Sequence, residues 1–394
     1  MINKKVLILN GSYSEIPLIK SLQELGYYVI TLGTNDDGLG HRVADKHIHC
    51  DYSDREAVLK VAKKENIDKV VSSCHDFALL TTAWVSEQLC LKGHDSLSTS
   101  EIIHIKDKYR KFATEIGIKT PKICTCKSEN DIEQISENLK FPIMIKAVDL
   151  TTGHGMTKCN TKEELSSALQ LALSKTRQDY VLAEEFIEGT NHGFTTLIQN
   201  QKVVFHFVDI EQHNINKYLV SGAATTTKVS QSAINQLIVD CNKIAKELNL
   251  VDGILHIQFI LDSNNEPTIL EITRRAPGDL YIKFVEFATG INYPELIVKA
   301  EMGLPMGEVK QENIKYNIVR HCIMSENEGV IKDVIIDQSI ADKIKHSMYF
   351  WKKGDLIKDH KLYKAGIVFI YFDSEEEMEN TIPKLNSLIT IVTT

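Results

Sequence analysis

The sequence lacks any apolar run long enough to cross a membrane, and it contains no low-complexity stretch. A transmembrane helix needs about 18 or more consecutive apolar residues, and no segment reaches that length. Hydrophobic residues make up 43% of the 394 residues and charged residues 25%, as in ordinary globular domains. No transmembrane helix is therefore expected, and collagen-like, coiled-coil and linker-dominated proteins are excluded. The length predicts two or three domains with a large buried core.

The sequence also lacks a dense block of basic residues. It has 45 Lys and Arg against 53 Asp and Glu, which gives a net charge of −8. Proteins that bind a nucleic-acid backbone concentrate Lys and Arg to neutralise phosphates. Nucleic acid is therefore not expected to be a partner of this chain.

Zinc-type cysteine pairs are absent as well. The eight cysteines are spread from Cys50 to Cys322, and only Cys124 and Cys126 lie close together. At the N-terminus, two lysines precede a short apolar run at 6–9, which is too short for a secretory signal and lacks a cleavage-like pattern. These features predict reduced thiols in a cytoplasmic protein.

Apolar strands alternate with amphipathic helices over the first hundred residues. The periodicity predicts strands at 6–9, 28–32 and 69–72 and helices at 15–25 and 55–65. Because helices connect the strands, a doubly wound parallel sheet is expected. The turn Asn10-Gly11-Ser12 follows the first strand at a place that suits small anions. It is not a GxGxxG fingerprint, so a nicotinamide cofactor gains little support.

A different pattern begins near residue 106. It predicts helices at 106–117, 131–139, 162–174 and 233–248, and strands at 142–147, 180–184, 254–261 and 268–272. Two alternating strands flank Gln199-Asn200-Gln201, which is typical of a hairpin. From residue 315 strands return, and a helix at 374–388 precedes a last short strand. A third, smaller domain is expected there.

A set of motifs follows along this second part in a characteristic order. They are Asp107-Lys108, the segment 141–147 with its glycine-containing loop at 149–156, Glu184 to Gly189, the strand segment 256–259, and the segment 271–279. In this order and spacing they resemble the ATP-grasp superfamily, and the resemblance extends over essentially the whole chain. No single motif would carry it alone.

The resemblance implies an α/β fold in several parts. Residues 1–105 would form an N-terminal doubly wound parallel-sheet domain. Residues 106–305 would form a two-lobed α+β ATP-grasp domain with its hinge near 184–189. Residues 306–394 would form a small, mostly β C-terminal domain that also contains helix.

Two lysines are candidates for holding the phosphates of ATP. The ammonium groups of Lys108 and Lys146 would act as point charges against a flexible polyanion. The alternative is that both are solvated lysines, and Lys106 and Lys111 are neighbouring alternatives to Lys108. By resemblance, a loop would close over the phosphates, formed by Thr151, Thr152, Gly153, His154 and Gly155. A GxG turn that only reverses the chain is the alternative.

The resemblance places the adenine at the hinge. Backbone groups of Glu185 and Ile187, on either side of Phe186, and the carboxylate of Glu184 would hold the base. Asn191 stands where the family often has an acid that binds the ribose, and an amide can still hydrogen-bond a hydroxyl.

The resemblance also implies a metal site for Mg²⁺, with Mn²⁺ as the alternative ion. Glu271 matches one acidic position of the family, Gln258 stands where the other acid is usual, and Thr273 stands where Asn is common. Magnesium prefers hard oxygen ligands, and a neutral Gln binds it more weakly than an acid. Either Glu271 and the phosphates suffice, or the protein is slow or non-catalytic. Glu271 as a plain surface acid is the remaining alternative.

Arg275 matches the arginine that steadies an acyl phosphate in the family, whereas Arg274 is expected to face outward. A structural ion pair is the alternative role for these arginines. Further substrate candidates are weaker, because capping and loop-filling roles are as plausible for them: His75, Asp76, Glu211, His213, Ser221, Gly222, Gly278 and Asp279. His256 is expected to be a core histidine.

The resemblance implies ATP- and Mg²⁺-dependent joining of a small-molecule carboxylate to an amine through an acyl phosphate. Lys146, Glu271 and Arg275 would be the catalytic residues, and no side-chain nucleophile is needed. Two alternatives stay open: a glycinamide ribonucleotide synthetase-like or carboxylase-like enzyme, and a catalytically weak nucleotide-binding regulatory protein. The family resemblance also suggests a homodimer.

Overall fold

A computed structural model of the chain describes residues 4–148 and 155–394. Its N-terminal part alternates strands and helices. The elements are β1 Lys5–Leu9, α1 Ile16–Glu24, β2 Tyr28–Gly33, α2 Leu39–Val43, β3 Lys46–His49, α3 Arg55–Glu65, β4 Lys69–Val71, α4 Asp76–Gln88 and α5 Leu97–His104. The strands form a parallel sheet of order β3-β2-β1-β4. The predicted parallel α/β unit is therefore confirmed.

Local sequence explains how this unit begins. The apolar residues of β1 from Val6 to Leu9 have no exposed surface, because helices cover both faces of the sheet. Ser12 and Glu15 then form a capping box at a 3₁₀ turn that leads into α1. The predicted helix at 15–25 is thus preceded by this turn. Periodicity did not predict β3, α4 and α5.

The next part is an antiparallel sheet of four strands with helices against it. Its elements are α6 Lys106–Glu115, β5 Ile123–Cys126, α7 Ile132–Asn138, β6 Ile143–Ala147, β7 Met156–Cys159, α8 Glu163–Lys175 and β8 Val181–Glu185. The strand order is β5-β8-β6-β7. Buried residues of α7 and α8 pack on β6 and β8 to form a separate core.

A long sheet follows and forms the centre of the molecule. Its first elements are β9 Thr190–Gln199, β10 Lys202–Gln212, β11 Gly222–Thr225, α9 Gln231–Glu247, β12 Gly253–Leu261, β13 Pro267–Thr273, α10 Tyr281–Thr289 and α11 Tyr293–Glu301. The antiparallel pairing of β9 with β10 confirms the predicted hairpin.

The C-terminal segment contributes to the same sheet. Its elements are β14 Asn317–Ile323, β15 Gly329–Ile336, α12 Gln338–Ala341, β16 Ile344–Tyr349, β17 Leu356–Ile357, β18 Gly366–Phe372, α13 Glu375–Thr381, α14 Leu385–Leu388 and β19 Ile389–Thr393. The central sheet has eight strands in the order β13-β12-β9-β10-β11-β14-β18-β16, and β17-β15-β19 form a small sheet of their own. Strands of the C-terminal segment are therefore hydrogen-bonded to the central lobe, while the domain boundaries at 105 and 306 stay predictions.

The prediction of one continuous helix at 374–388 is wrong, because the structure has two short helices there. The helix stops after α13, and a 3₁₀ turn at 382–384 separates it from α14. Pro383 lies at the start of this turn, and proline has no N–H with which to continue a helical ladder. Among the helices of the described residues, none is long and apolar enough to cross a membrane.

Candidate active site

A cleft of about 890 Å³ lies where the three parts of the molecule meet. Its walls come from α4 to α6, from Val148 and Tyr180 of the four-stranded lobe, and from strands of the eight-stranded sheet. This volume is in the range of small-molecule sites. The predicted site residues that line it are Asp76, Lys108, Glu211, Gln258, Glu271, Thr273, Arg275, Gly278 and Asp279.

Oxygen donors for a cation lie together on the floor of the cleft. Gln258 and Glu271 are directly opposite each other on β12 and β13, and Thr273 is opposite His256 two residues along the same strands. Gln258 Nε2 donates a hydrogen bond of 2.7 Å to Glu211 Oε1. Glu211, which the sequence suggested as a substrate contact, therefore belongs to the group that contains the predicted metal residues.

Buried acids lie around this group. Burial raises the pKa of Glu211, and the neighbouring Asp209 and Glu271 raise it further. Burial also raises the pKa of Asp209, although the Tyr281 hydroxyl donates a hydrogen bond to its Oδ2. The other oxygen, Asp209 Oδ1, is buried and has no hydrogen-bond partner among the described residues. Burial thus favours the protonated forms of Glu211 and Asp209, and a nearby cation would favour their ionised forms.

These residues fit a hard divalent cation. The donor set consists of carboxylate and amide oxygens, which Mg²⁺ prefers, and Mg²⁺ usually takes only one or two protein carboxylates together with substrate phosphates. Within residues 4–148 and 155–394, no set of three or more His, Cys, Asp or Glu side chains is arranged to hold a metal alone. Gln258 and Glu271, with Thr273 nearby, are therefore the residues that would hold Mg²⁺, with phosphate oxygens completing the site.

His256 lies at the edge of the same floor. Its side chain is buried, with 7% exposed, and it lines the cleft. Burial lowers its pKa to about 3, and Arg275 contributes in the same direction. The imidazole is therefore neutral. Its Nδ1 has no hydrogen-bond partner among the described residues, so the prediction of a core histidine with satisfied polar atoms is not confirmed.

Arg275 and Asp76 form an ion pair that joins the central sheet to the N-terminal unit. The contact is 2.5 Å from the guanidinium to Asp76 Oδ1. Burial alone would raise the pKa of Asp76, but Arg275 and His104 outweigh it and lower the pKa to about 2. Asp76 is thus engaged by Arg275 at the cleft wall, and no side-chain hydrogen bond caps α4. Arg275 remains at the cleft, where the family resemblance expected it.

The expectation for Arg274 is wrong. Its side chain is buried, and its Nε donates to Asp95 at 2.7 Å. The guanidinium also donates to the carbonyl oxygens of Val251 and Ile254. An arginine that faces inward can be buried only with such partners, and the alternation of β13 could not show that they were available.

Lys146 and Glu184 lie next to each other on β6 and β8 of the four-stranded lobe. Lys146 Nζ and Glu184 Oε1 are hydrogen-bonded, and Arg110 Nη2 lies 2.8 Å from Glu184 Oε2. Burial would raise the pKa of Glu184, but Arg110 and Lys146 lower it to about 2. Both carboxylate oxygens of Glu184 are therefore engaged by cations, so Glu184 positions Lys146 in this structure. Arg110 was missed from the sequence because its partner is remote along the chain.

The backbone of the predicted hinge is partly engaged as well. The N–H groups of Glu185 and Phe186 donate to the carbonyl oxygens of Lys122 and Pro142, each at 3.0 Å. The Phe186 ring is covered by Lys158, whose Nζ lies 3.6 Å from the ring centroid. The N–H of Ile187 makes no hydrogen bond within the described part of the chain, so it is available to a ligand.

The central part of the chain matches a known family of ATP-binding domains. The family model for "Carbamoyl-phosphate synthase L chain, ATP binding domain" matches residues 106–309. The chain belongs to this ATP-grasp family. The relatives and structural neighbours of the chain are ATP-grasp ligases, and enzymes of this family use ATP and Mg²⁺. The predicted family, enzyme class and cofactors are confirmed.

Individual relatives agree with this assignment. The carbamoyl phosphate synthase large chain of Clostridium beijerinckii is 21% identical over 324 residues, which cover 78% of this chain but only 30% of that protein. The formate-dependent phosphoribosylglycinamide formyltransferase of Prochlorococcus marinus is 27% identical over 312 residues, 78% of each chain. The crystal structure of an L-amino acid ligase from Bacillus licheniformis superposes with a TM-score of 0.82 at 19% identity, covering 100% of this chain and 99% of that one.

The predicted phosphate loop of this ATP-grasp chain lies mostly outside the described residues. Thr151, Thr152, Gly153 and His154 are not among them. Gly155 is described, with φ of +69°, and its carbonyl accepts a hydrogen bond from the Ala147 N–H. Lys108, the other phosphate candidate, is partly exposed and forms an ion pair of 2.7 Å with Glu101 at the cleft. Its alternative Lys106 lines the cleft too.

Asp279, which lines the ATP-grasp cleft, is hydrogen-bonded to three distant segments of the chain. Its carboxylate accepts hydrogen bonds from Tyr13 Oη at 2.6 Å and from Lys364. Its carbonyl oxygen accepts one from Arg320 on β14. Arg320 is 2% exposed and lines the cleft, and its Nε has no hydrogen-bond partner among the described residues. Sequence reasoning missed Arg320, because no motif places it near the rest of the site.

Four other predicted substrate residues, and the predicted ribose contact Asn191, do not line this cleft. The Ser221 N–H donates to Gln212, Ser221 Oγ accepts from the Asn214 N–H, and Gly222 is opposite Gln212 in the sheet. His75 stacks on Phe77, while His213 and Asn191 are also absent from the cleft lining. The roles of these residues stay predictions.

Proposed function

We propose that the chain is an ATP- and Mg²⁺-dependent carboxylate–amine ligase that forms an amide through an acyl phosphate. The terminal phosphoryl group of ATP would pass to a carboxylate oxygen, with cleavage of its bond to ADP. An amine would then attack the acyl carbon, so that a C–N bond forms and phosphate leaves. The ammonium proton would be lost to solvent or a neighbouring base.

The residues of the chain would act by positioning and by balancing charge. Lys146, held by Glu184, would contact the nucleotide phosphates. Bound Mg²⁺ would neutralise charge on the phosphates, held by Glu271 and Gln258 with Thr273 nearby. Arg275 would stabilise the transferred phosphoryl group, for which its planar guanidinium is suited. Ile187, whose N–H makes no hydrogen bond to any residue that the structure describes, would hold the adenine together with the neighbouring backbone.

One observation carries the proposal: a carboxylate, an amide oxygen and a guanidinium line the same cleft. Glu271 and Gln258 are opposite each other on neighbouring strands, and Arg275 follows Glu271 by four residues along the chain. This pairing suits phosphoryl transfer, which needs charge neutralisation at both the metal and the transferred group. It favours a working ligase over a nucleotide-binding regulatory protein.

Phosphate release from ATP and Mg²⁺ would test the proposal directly. The chain would be assayed against a panel of amino acids, other small carboxylates, bicarbonate and amines, with ADP and AMP resolved. We expect ADP and phosphate that depend on one acid–amine pair, and at least about a hundredfold slower turnover in Arg275→Ala, as for loss of one charge-stabilising group. Lys146→Ala and Glu271→Ala are expected to lose turnover as well. Formation of AMP would contradict the acyl-phosphate route.

The same assay distinguishes the remaining alternatives. Turnover with bicarbonate alone would indicate a carboxylase-like reaction, and turnover with glycine would indicate a glycinamide ribonucleotide synthetase-like reaction. ATP binding without phosphate release on any pair would favour a regulatory protein. The homodimer and the cytoplasmic location stay predictions, and light scattering of the purified chain checks the first.

A further inference from the structure

The metal residues of this chain include a neutral side chain at a position where an acid would bind more tightly. Gln258 contributes an amide oxygen, which offers a cation a dipole but no charge. Glu271, directly opposite on β13, is then the single carboxylate of the predicted set. A second carboxylate near Gln258 would restore the charge that the amide lacks.

Glu211 is that neighbouring carboxylate. It lies on β10, which is separated from β12 by β9, and its Oε1 accepts the hydrogen bond from Gln258 Nε2 at 2.7 Å. Because the N–H₂ group of Gln258 is committed to Glu211, the amide oxygen is the end left to face a cation. Glu211 and Gln258 both line the cleft, so a bound ion can reach both.

A glycine in the sheet allows the side chains on β10 and β12 to lie close to each other. Gly193 of β9 is opposite Gln258 on one side and Asp209 on the other. A Cβ on Gly193 would lie 2.5 Å from Asp209 Oδ2, so only glycine leaves room in this row. Asp209, with 0% exposed, keeps an unpartnered Oδ1 beside Glu211 within the described residues. The pairing at Gly193 thus places Asp209 and Gln258 in one row across β10, β9 and β12, on the side of the sheet where Glu211 lies.

We propose that Glu211 supplies, from β10, the second carboxylate of the magnesium site in place of the acid that position 258 lacks. The inference rests on the proposed function, since it concerns the same Mg²⁺–nucleotide site. In this arrangement Gln258 lies between two carboxylates: it donates a hydrogen bond to Glu211 and is opposite Glu271 in the sheet.

Binding of Mn²⁺ in the presence of ADP, followed by electron paramagnetic resonance, would test the inference without turnover. Loss of a partner that only supports a metal ligand weakens metal binding about 10- to 100-fold, so we expect Glu211→Gln to weaken Mn²⁺ binding at least about tenfold. ADP binding in EDTA should be unchanged. Glu247→Gln, on the exposed face of α9, is the matched control and should bind Mn²⁺ like the wild type.

The double variant Glu211→Gln/Gln258→Glu moves the carboxylate back to β12. We expect its Mn²⁺ affinity to be close to that of the wild type and higher than that of Glu211→Gln. If Glu211→Gln does not fold, the double variant is compared with the wild type alone. Unchanged Mn²⁺ affinity in Glu211→Gln, or no recovery in a folded double variant, would overturn the inference. Wild-type protein that binds no ADP would instead overturn the proposed function, and the inference with it.

Discussion

Glu184 lies between two cations from different parts of the chain, Arg110 of α6 and Lys146 of β6. All three side chains are largely buried. Arg110 also donates to the carbonyl oxygens of Ile269 and Leu270, so the carboxylate holds together the hinge strand, the predicted phosphate lysine and the edge of the central sheet. A buried carboxylate in this position is needed for the fold as well as for the site, because removal of one partner leaves uncompensated charge.

Glu184→Gln is therefore expected to destabilise the protein by about 3–5 kcal/mol at pH 7, the usual cost of breaking a buried pair. The cations depress the folded pKa of Glu184 to about 2, against about 4.3 in an unfolded chain. Its contribution is thus fully present above about pH 5 and is lost as the pH falls towards 2. Urea unfolding of both proteins across this range would measure it.

Glu133→Gln, an exposed acid that pairs with Lys162, is the control and should change stability by less than about 1 kcal/mol. A difference between wild type and Glu184→Gln that grew as the pH fell would contradict the assignment of the depressed pKa.

At the scale of elements, the cleft floor depends on the register of neighbouring strands. Asp209 and Glu211 are two residues apart on β10 and therefore face the same side. The pairing of β10 with β9, and of β9 with β12, brings that side to Gln258. Gly193 stands in the middle of this row, and its φ is not in the left-handed region. Its requirement for glycine is therefore one of space.

Gly193→Ala is expected to destabilise the protein by about 1–3 kcal/mol, as other overpacking substitutions do, because the added Cβ must displace the Asp209 carboxylate. It should also weaken Mn²⁺ binding in the ADP complex. Thermal unfolding and the resonance titration measure the two effects.

Gly278→Ala is the control for stability, since its Cβ would approach no atom closer than 3.9 Å. Equal unfolding temperatures for Gly193→Ala and Gly278→Ala would show that β9 can shift to accept the methyl group, and the row of strands would then not depend on glycine.

At the scale of the whole molecule, the C-terminal segment completes the central sheet. β14 pairs with β11 over 222–224 and β18 pairs with β14. Ile318, Cys322 and Ile367 belong to the same core cluster as residues of α1, α10 and α11. Arg320 and Lys364 also donate hydrogen bonds to Asp279, which lines the cleft. The segment is thus part of the scaffold that shapes the site.

A chain that ends at residue 305 is expected not to fold cooperatively, because it would expose the edge of β11 and one face of this core. Circular dichroism, thermal unfolding and ADP binding of the truncated chain, against the full chain, would measure the effect. A truncated chain that unfolds cooperatively and binds ADP would show that residues 306–394 form an independent unit.

Local patterns in the sequence determined much of this protein. Alternation and helical periodicity predicted β1, α3, α9 and the hairpin of β9 and β10, because these elements are specified by which neighbouring residues are apolar. The ordered motifs identified the family, its cofactors and several of the residues that line the cleft.

Only the tertiary structure decided which charges meet. Arg110 with Glu184, Arg274 with Asp95, and Glu211 with Gln258 are pairs formed between distant segments. The order of strands in the central sheet, with β14 beside β11, could not be predicted from the sequence either. Register and sheet order depend on contacts between remote residues, and a pattern confined to neighbouring residues carries no record of those contacts.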